Sequence, residues 1–454
     1  MKTNRHILLV LFSATLGIFQ STYAANLYFT GDTGAYYNWT AANWNTAADG
    51  SGSQVSWIDG SDAYYFASSI TPPTETDVNP NTISMNSLNK VGGSASSLLW
   101  IGYATSPTAI TITSGTINIA AGTGKIEIDS NDTPNGLVTG AGNGLTLDGG
   151  GTLVFGGYGS SNISGNVNIN AGILVLQGNS VLTPGARTTI ASGAEYRINS
   201  SNQATYVNPT LGGLSGGGLL TVGTDYTTSK VSINVATAES YNFSGNLNFA
   251  STSSSAYFVK SGAGTQILSG STSNVYAGVT TVQDGVLALA KTNGADALAG
   301  DVYITGGSVR LDGSNQIANT ANLILAGGQF DASTSSETMA LFSLDSTSSF
   351  SLTGGGADRL VFDNSSSVDW GSGAVLTIFG LVEANSIRFG TDATGLTAGQ
   401  LGQIQFNSYA GPVLIDSNGY IYTASMVPEP GSIGLAALGL IGVAVLKRRK
   451  EAIL

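Results

Sequence analysis

The chain has 454 residues, a formal net charge of −12 at pH 7, no cysteine and one histidine, His6. Because His6 lies in a predicted export signal, the processed chain is expected to have neither thiol nor imidazole. This excludes Cys–His and Ser–His–Asp catalysis and the usual transition-metal ligand sets. The acidic balance also argues against nucleic acid as a partner.

The composition predicts an all-β repeat protein. Glycine contributes 62 residues and charged side chains only 10%, which is about twice the usual share of glycine and well under the usual quarter of charged residues. A hydrophobic content of 42% is enough to form a core and argues against disorder.

Residues 1–24 have the pattern of a secretory signal peptide. Lys2 and Arg5 precede an apolar run over 7–19, and a small-x-small site predicts cleavage between Ala24 and Ala25. The apolar run is too short for a spanning helix. We therefore expect export through the Sec machinery.

Residues 25–98 are rich in aromatic side chains. They include Trp39, Trp44 and Trp57. Solenoids need atypical end units that close their core, and bulky aromatics suit that purpose. We predict an N-terminal β cap here, with an aromatic platform that stacks on sugar rings as the alternative.

A repeat organises the region from 99 to 364. Residues 258–289 match 145–176 without a gap at an offset of 113, with glycines on glycines and apolar residues alternating. The coinciding glycines are Gly149, Gly151, Gly157, Gly165 and Gly172 with Gly262, Gly264, Gly270, Gly278 and Gly285. This pattern is typical of short strands separated by tight turns.

A shorter period lies inside the repeat. Val282 recurs as Ile304 and then as Leu325, in steps of 22 and 21 residues. A period of this size without helical patterning predicts a β-solenoid over 99–364, in which parallel stacking of turns buries ladders of Ile, Val and Leu. The alternative is an array of β-sandwiches.

The second copy of the repeat also resembles a known family. The relevant residues are Lys260-Ser261-Gly262-Ala263-Gly264-Thr265, Leu268-Ser269-Gly270, Tyr276-Ala277-Gly278, Thr281-Val282 and Gly285-Val286-Leu287. They are similar to the autotransporter-associated β-strand repeat, and 145–176 matches it more loosely. The resemblance implies a right-handed parallel β-helix on an exported passenger.

The short period is lost over 365–424, where we predict a closing cap or linker. Within it, residues 396–401 predict a single helical turn. A sorting signal is predicted at 427–450. It comprises the motif Val427, Pro428, Glu429 and Pro430, the apolar run 433–446, and the basic end Lys447, Arg448, Arg449 and Lys450.

This order of motif, apolar helix and basic end resembles the PEP-CTERM sorting signal of exopolysaccharide-producing Gram-negative bacteria. The resemblance implies recognition by an exosortase in the inner membrane and removal of the tail near Pro-Glu-Pro. The protein would be anchored transiently through the C-terminal transmembrane helix and then reach the cell surface or extracellular matrix. The alternative is permanent anchoring, for which the apolar run is short.

Carboxylate pairs are the catalytic option left to a chain without histidine. The candidates are Asp129, Asp132, Asp148, Asp284, Asp312 and Asp331. Asp312 and Asp331 are 19 residues apart, so they are candidates for neighbours on successive turns. Aspartate also favours turns for local hydrogen-bonding reasons, and we expect these residues to be structural, with no catalytic, metal or cofactor site.

The sequence therefore predicts a secreted, non-enzymatic β-helical protein of the cell surface or exopolysaccharide matrix. A carbohydrate-binding surface protein is the alternative. A polysaccharide lyase or hydrolase is the third and least favoured hypothesis.

Overall fold

The computed structural model describes residues 25–29, 44–58, 61–65, 83–91, 98–101, 110–121, 125–130, 144–157, 165–177, 185–198, 209–223, 229–249, 256–276, 278–380 and 382–426. The predicted signal peptide, Trp39, Asp132 and the predicted sorting signal lie outside these residues.

The described residues are almost entirely β. The first strands are β1 (Asn26–Phe29), β2 (Trp44–Asn45), β3 (Gln54–Val55), β4 (Asp62–Tyr65), β5 (Ile83–Lys90), β6 (Leu98–Ile101), β7 (Ile110–Ile119), β8 (Lys125–Ser130), β9 (Leu145–Asp148), β10 (Thr152–Gly157), β11 (Val167–Ile169), β12 (Ile173–Leu176), β13 (Arg187–Ile190), β14 (Glu195–Ile198), β15 (Thr210–Leu211), β16 (Gly213–Gly216), β17 (Leu219–Val222), β18 (Ser229–Asn234), β19 (Ser240–Phe243) and β20 (Asn246–Phe249).

The remaining strands are β21 (Ala256–Ser261), β22 (Thr265–Gly270), β23 (Thr280–Val282), β24 (Val286–Lys291), β25 (Val302–Ile304), β26 (Ser308–Leu311), β27 (Leu323–Ala326), β28 (Gln329–Ser333), β29 (Glu337–Met339), β30 (Phe342–Ser346), β31 (Ser348–Leu352), β32 (Leu360–Phe362), β33 (Leu376–Phe379), β34 (Ile387–Phe389), β35 (Ile404–Phe406), β36 (Val413–Ile415) and β37 (Ile421–Thr423). Two short helices, α1 (Ala398–Leu401) and a 3₁₀ turn at Ala424–Met426, complete the described elements.

These strands form a β-solenoid. The longest parallel ladder, face A, contains β1, β4, β5, β7, β9, β11, β13, β16, β19, β22, β24, β26, β28, β31, β33 and β35. This confirms the predicted all-β solenoid. The ladder also includes strands on either side of 99–364, the range predicted for the solenoid.

Two further ladders give the solenoid a three-sided cross-section. Face B contains β6, β8, β10, β12, β14, β17 and β20, and backbone hydrogen bonds through 274–276, 296–298 and 315–317 continue it into β29, β32 and β34. Face C contains β15, β18, β21, β23, β25, β27 and β30. One turn of chain, 210–222, passes through faces C, A and B in that order.

The core lies inside the three faces and consists of registered apolar ladders. Val282 pairs with Ile304 and Ile304 with Leu325, so the steps of 22 and 21 residues in the sequence correspond to direct neighbours in the sheet. All three side chains are fully buried. On face A, Ile169 pairs with Ile190 in the same way. Each turn alone leaves this apolar face open, and stacking buries it.

The two copies of the repeat occupy different corners of the solenoid. In the copy at 145–176, the strands lie on faces A and B, whereas in the copy at 258–289 the equivalent strands lie on faces C and A. Gly149 and Gly262 form the corner in both copies, with φ of 80° and 71°. The repeated unit is therefore a strand, a glycine corner and a strand, which fits any corner of the triangle.

Antiparallel pairing occurs at both ends of face A. Next to β1, the strands β2 and β3 add antiparallel neighbours. There Trp44 is fully buried, with its ring centroid 4.7 Å from that of Trp57 and 5.6 Å from that of Phe29. Near the other end, β36 and β37 form an antiparallel hairpin, and Tyr420 bridges Arg388 of β34 in antiparallel fashion.

The predicted helical turn is present as α1. Thr397 and Gln400 form a capping box at its start, which satisfies backbone N–H groups that the first turn leaves free. Among the described residues, no helix has the length and apolar character needed to cross a membrane.

The corner glycines generate a prediction about stacking. A Cβ at Gly262 would lie 2.2 Å from Asn234 Oδ1 and 2.4 Å from Val235 O, whereas one at Gly294, with an almost equal φ of 70°, would meet nothing within 4 Å. Gly294→Ala should cost about 1 kcal/mol through its backbone conformation alone. Gly262→Ala should cost about 1 to 3 kcal/mol more, because the added methyl group collides with the preceding turn.

The measurement is the free energy of unfolding from urea titration of the two variants and the parent. Equal costs for the two substitutions would show that close contact between turns does not constrain this corner.

Candidate functional site

Four of the six predicted acidic candidates are held by local hydrogen bonds or an ion pair. Asp148 Oδ1 accepts from Asn170 Nδ2 at 2.9 Å, and Asp284 Oδ1 accepts from the backbone N–H of Gly285 at 2.7 Å. Asp129 lies in β8 on face B. Among the described residues, no group of three or more His, Cys, Asp or Glu side chains is arranged to hold a metal ion.

Neighbouring turns bring an arginine next to Asp331. Arg310 is the direct partner of Asp331 in the ladder. Its guanidinium donates to both oxygens of Asp312, at 2.6 and 2.8 Å, and that hydrogen bonding raises the pKa of Arg310. Asp331 Oδ1 accepts from the backbone and hydroxyl of Ser333. Both acids therefore lie near Arg310, and each is engaged by a local hydrogen bond.

Buried lysines lie at the corners of the solenoid. Lys260 Nζ donates to the carbonyl oxygens of Ser261, Gly262 and Asp284 at 2.8, 2.7 and 3.1 Å. Burial lowers the pKa of Lys260 to about 8, although the charge of Asp284 opposes the change. The lysine links the corner of one turn to the corner of the next.

Lys291 has a similar role at the end of β24 on face A. Its Nζ donates to the carbonyl oxygens of Gly245 at 3.3 Å and Ser269 at 3.0 Å, and burial lowers its pKa to about 8. Arg359 also donates to backbone carbonyls, among them that of Ser335 at 3.0 Å. These cations therefore bind backbone carbonyl oxygens where the chain turns from one face to the next.

Buried amide side chains replace missing strand pairing. Face A has a weak point where β16 pairs with β19 only through Gly216 and Phe243. Gln266 spans this gap, since its Oε1 accepts from Leu214 N at 3.1 Å and its Nε2 donates to Leu214 O at 2.9 Å. Gln266 is fully buried. Its amide thus takes the place of a peptide group in the ladder.

Gln316 and Asn274 repeat this arrangement near face B. Gln316 bonds to both backbone groups of Lys291, at 2.7 and 3.0 Å. Asn274 accepts from Leu247 N at 2.9 Å and donates to Ala297 O at 2.8 Å. Sequence reasoning missed all three. Gln266 lies in β22, where a polar residue ordinarily marks the outer face, and Asn274 and Gln316 lie outside the named strands.

Glu337 is a buried acid in the same network. It is 1% exposed, its Oε2 accepts from Gln316 N at 2.7 Å, and its Oε1 has no hydrogen-bond partner within the described part of the chain. Burial raises the pKa of Glu337 to about 8, against the backbone hydrogen bonds that favour its charged form. The carboxyl group is therefore mainly protonated at neutral pH.

The raised pKa of Glu337 predicts a pH-dependent stability. The folded chain holds this proton more tightly than the unfolded chain, so the stabilisation is complete below about pH 4.5 and is lost as the pH rises towards 8. Glu337→Gln keeps the shape and removes the ionisation. Relative to the parent, it should gain about 2 kcal/mol of stability between pH 5 and pH 7.

Urea titrations of parent and variant at these two pH values measure that difference. Lys260 and Lys291 remain protonated in both states over this range, so they do not contribute to the slope. A stability difference that is the same at both pH values would contradict the assignment of the proton to Glu337.

The amide of Gln266 gives a second prediction. Gln266→Leu should lower the free energy of unfolding by about 2 to 4 kcal/mol, because the N–H and C=O of Leu214 lose their partner inside the core. Gln405→Leu is the matched control, since Gln405 is exposed and its amide, among the described residues, donates to Thr377 Oγ1 alone. The cost of this substitution should stay within about 0.5 kcal/mol. Similar costs at both positions would show that Gln266 does not replace a strand.

The predicted sorting residues lie outside the described part of the chain, as does Ala24. Ala25 is the first described residue, and its backbone N–H donates to Ser61 Oγ at 3.4 Å. The predicted cleavage site lies directly before this residue.

Comparisons with known proteins identify two elements. Residues 145–176 and 258–289 match the passenger-associated-transport repeat, and residues 427–450 match the PEP-CTERM protein-sorting motif. No curated protein and no solved structure showed a significant match. The chain therefore combines passenger-associated-transport repeats, built into a β-solenoid, with a PEP-CTERM protein-sorting motif.

Proposed function

We propose that the protein is a secreted, non-enzymatic structural component of the cell surface or exopolysaccharide matrix. The observation that carries the proposal is the PEP-CTERM motif at 427–450 on a chain that folds as a solenoid. The motif implies exosortase-dependent processing and a location at the cell surface or outside the cell. The repeats and the solenoid fit a structural surface protein.

The finer steps of this route are part of the proposal. Sec-dependent export uses the signal at 1–24, and cleavage follows Ala24. The apolar run 433–446 then holds the chain in the inner membrane, with the basic end on the cytoplasmic side. An exosortase cuts near Pro428-Glu429-Pro430 and releases the solenoid to the surface, where exopolysaccharide surrounds it.

The chemistry of the solenoid supports a structural role. Each of four predicted acids makes a local hydrogen bond or ion pair: Asp148, Asp284, Asp312 and Asp331. Bonds of this kind stabilise a single turn of the solenoid or link it to the next turn. A lyase or hydrolase would instead require acids that converge on a substrate. Incubation with the host exopolysaccharide should accordingly release neither unsaturated nor reducing ends.

Removal of the tail tests the sorting step. In a host that contains an exosortase, a chain that ends at Met426 should lose its surface-bound fraction and appear in the periplasm or culture medium, because nothing retains it at the membrane for processing. A chain with Pro428, Glu429 and Pro430 all changed to Ala should remain in the membrane at its unprocessed mass. The measurements are cell fractionation with immunodetection and intact-mass spectrometry.

Glu451→Gln is the matched control, since it lies in the same tail but outside the motif and the basic end. It should fractionate and be processed as the parent is. A truncated chain that distributes like the parent would refute sorting by 427–450.

A further inference from the structure

A groove runs along the corner between faces A and B. It has a volume of about 370 Å³, which lies within the range of sites for small ligands. Three successive turns contribute equivalent triplets to its lining, and a fourth contributes one residue. They are Gly193-Ala194-Glu195, Gly217-Gly218-Leu219, Ser244-Gly245-Asn246 and Thr272. The groove therefore runs parallel to the axis of the solenoid.

The glycines of the groove have two different roles. A Cβ on Gly245 would lie 1.9 Å from the carbonyl oxygen of Gly218, so this glycine permits the close stacking of turns. A Cβ on Gly193 would meet nothing within 4 Å, and one on Gly217 would meet only Ser244 Oγ at 3.4 Å and Ser192 Cβ at 3.8 Å. At Gly193 the positive φ of 83° favours glycine, whereas Gly217 has neither a positive φ nor a close contact that requires it. The absence of side chains at both positions leaves the groove open.

A row of three side chains lies in direct register along face B. Glu195 pairs with Leu219, and Leu219 pairs with Asn246, so the three are about 4.8 Å apart from turn to turn. Arg197 holds the Glu195 carboxylate with hydrogen bonds of 2.9 and 2.7 Å. Within the described part of the chain, no hydrogen bond engages the side-chain amide of Asn246. The row offers a carboxylate, an apolar surface and an amide.

The chemistry of this row selects the ligand. Among the residues that line the groove, Glu195 alone is charged, and Arg197 neutralises it, so neither a phosphate nor a polyanion gains an ionic partner there. Addition of a peptide strand is also disfavoured, because the backbone N–H groups of Glu195, Leu219 and Asn246 already bond to the preceding turn. Fixed acceptors and an amide beside a small apolar surface suit hydroxyl groups and a sugar ring.

We propose that this groove binds a short stretch of an uncharged polysaccharide that lies along the solenoid axis. Leu219 contacts a ring face, Asn246 and the outer lone pairs of Glu195 bind hydroxyl groups, and the open positions at Gly193 and Gly217 admit the rings. The inference rests on the proposed location in a polysaccharide matrix, and it adds the site and the class of polymer.

The test measures binding of neutral hexasaccharides of glucose, mannose and galactose to the full chain by isothermal titration calorimetry. Oligogalacturonate and inorganic phosphate serve as charged probes. At least one neutral hexasaccharide should bind with a Kd of about 1 mM or below, and the charged probes should not compete. Gly217→Trp should weaken that binding by about tenfold or more, since the indole fills the groove.

Two further variants make the result specific. Gly217→Ala adds only a methyl group that the site accommodates, and Gln405→Trp places the same indole on an exposed position of face A, remote from the groove. Both should bind as the parent does, and all variants should show the circular dichroism spectrum of the parent. Failure of every neutral hexasaccharide at about 10 mM, preferential binding of oligogalacturonate, or unchanged affinity in a folded Gly217→Trp variant would overturn the proposal.

The experiments distinguish a failure of the groove proposal from a failure of the sorting proposal. The groove variants retain 427–450, so a loss of glycan binding with normal fractionation concerns the groove alone. Normal glycan binding by a chain that is not sorted would refute the proposed function and leave the groove intact.

Discussion

Backbone hydrogen bonding between successive turns is the constraint on which the rest of the structure depends. Each turn must bond to the turns before and after it, because an unpaired N–H or C=O in the interior costs about 1 to 3 kcal/mol. Regular strands meet this requirement along the three faces. Where register fails, between Leu214 and Tyr241, the amide of Gln266 supplies both bonds. Buried polar side chains are thus part of the ladder.

The same constraint explains the charges of the interior. Several carbonyl oxygens converge at a corner, so their partial negative charge suits a cation such as Lys260 or Lys291. A buried acid has no comparable partner. Glu337 lies among backbone N–H groups that satisfy one oxygen only, and burial therefore favours its protonated form. Cations at corners and a neutral acid both follow from the way the backbone groups are oriented.

Much of the fold was predictable, because the period of the sequence is the path length of one turn. The steps from Val282 to Ile304 to Leu325 identified true ladder neighbours. Beyond 364 the steps lengthen, as from Phe350 to Ile378 and to Phe406, so the pattern fades although the ladder continues. Which corner of the solenoid each copy of the repeat occupies was not predictable from the sequence, because the strand–glycine–strand unit has the same local geometry at every corner.

The candidate site was less predictable than the fold, and the reason is physical. Acids such as Asp331 attract attention in a sequence, yet their surroundings are set by neighbours such as Arg310, which lies beside Asp331 on the preceding turn. The groove contains few residues of obvious chemistry, since its shape comes from glycines at 193 and 217 where side chains are absent. A Cβ at Gly218 or Gly245 would collide with the preceding turn, so these glycines allow the turns to stack closely. This close stacking aligns Glu195, Leu219 and Asn246 in a row. The stacking of the solenoid and the shape of the proposed glycan site therefore depend on the same corner, and changes that loosen one will disturb the other.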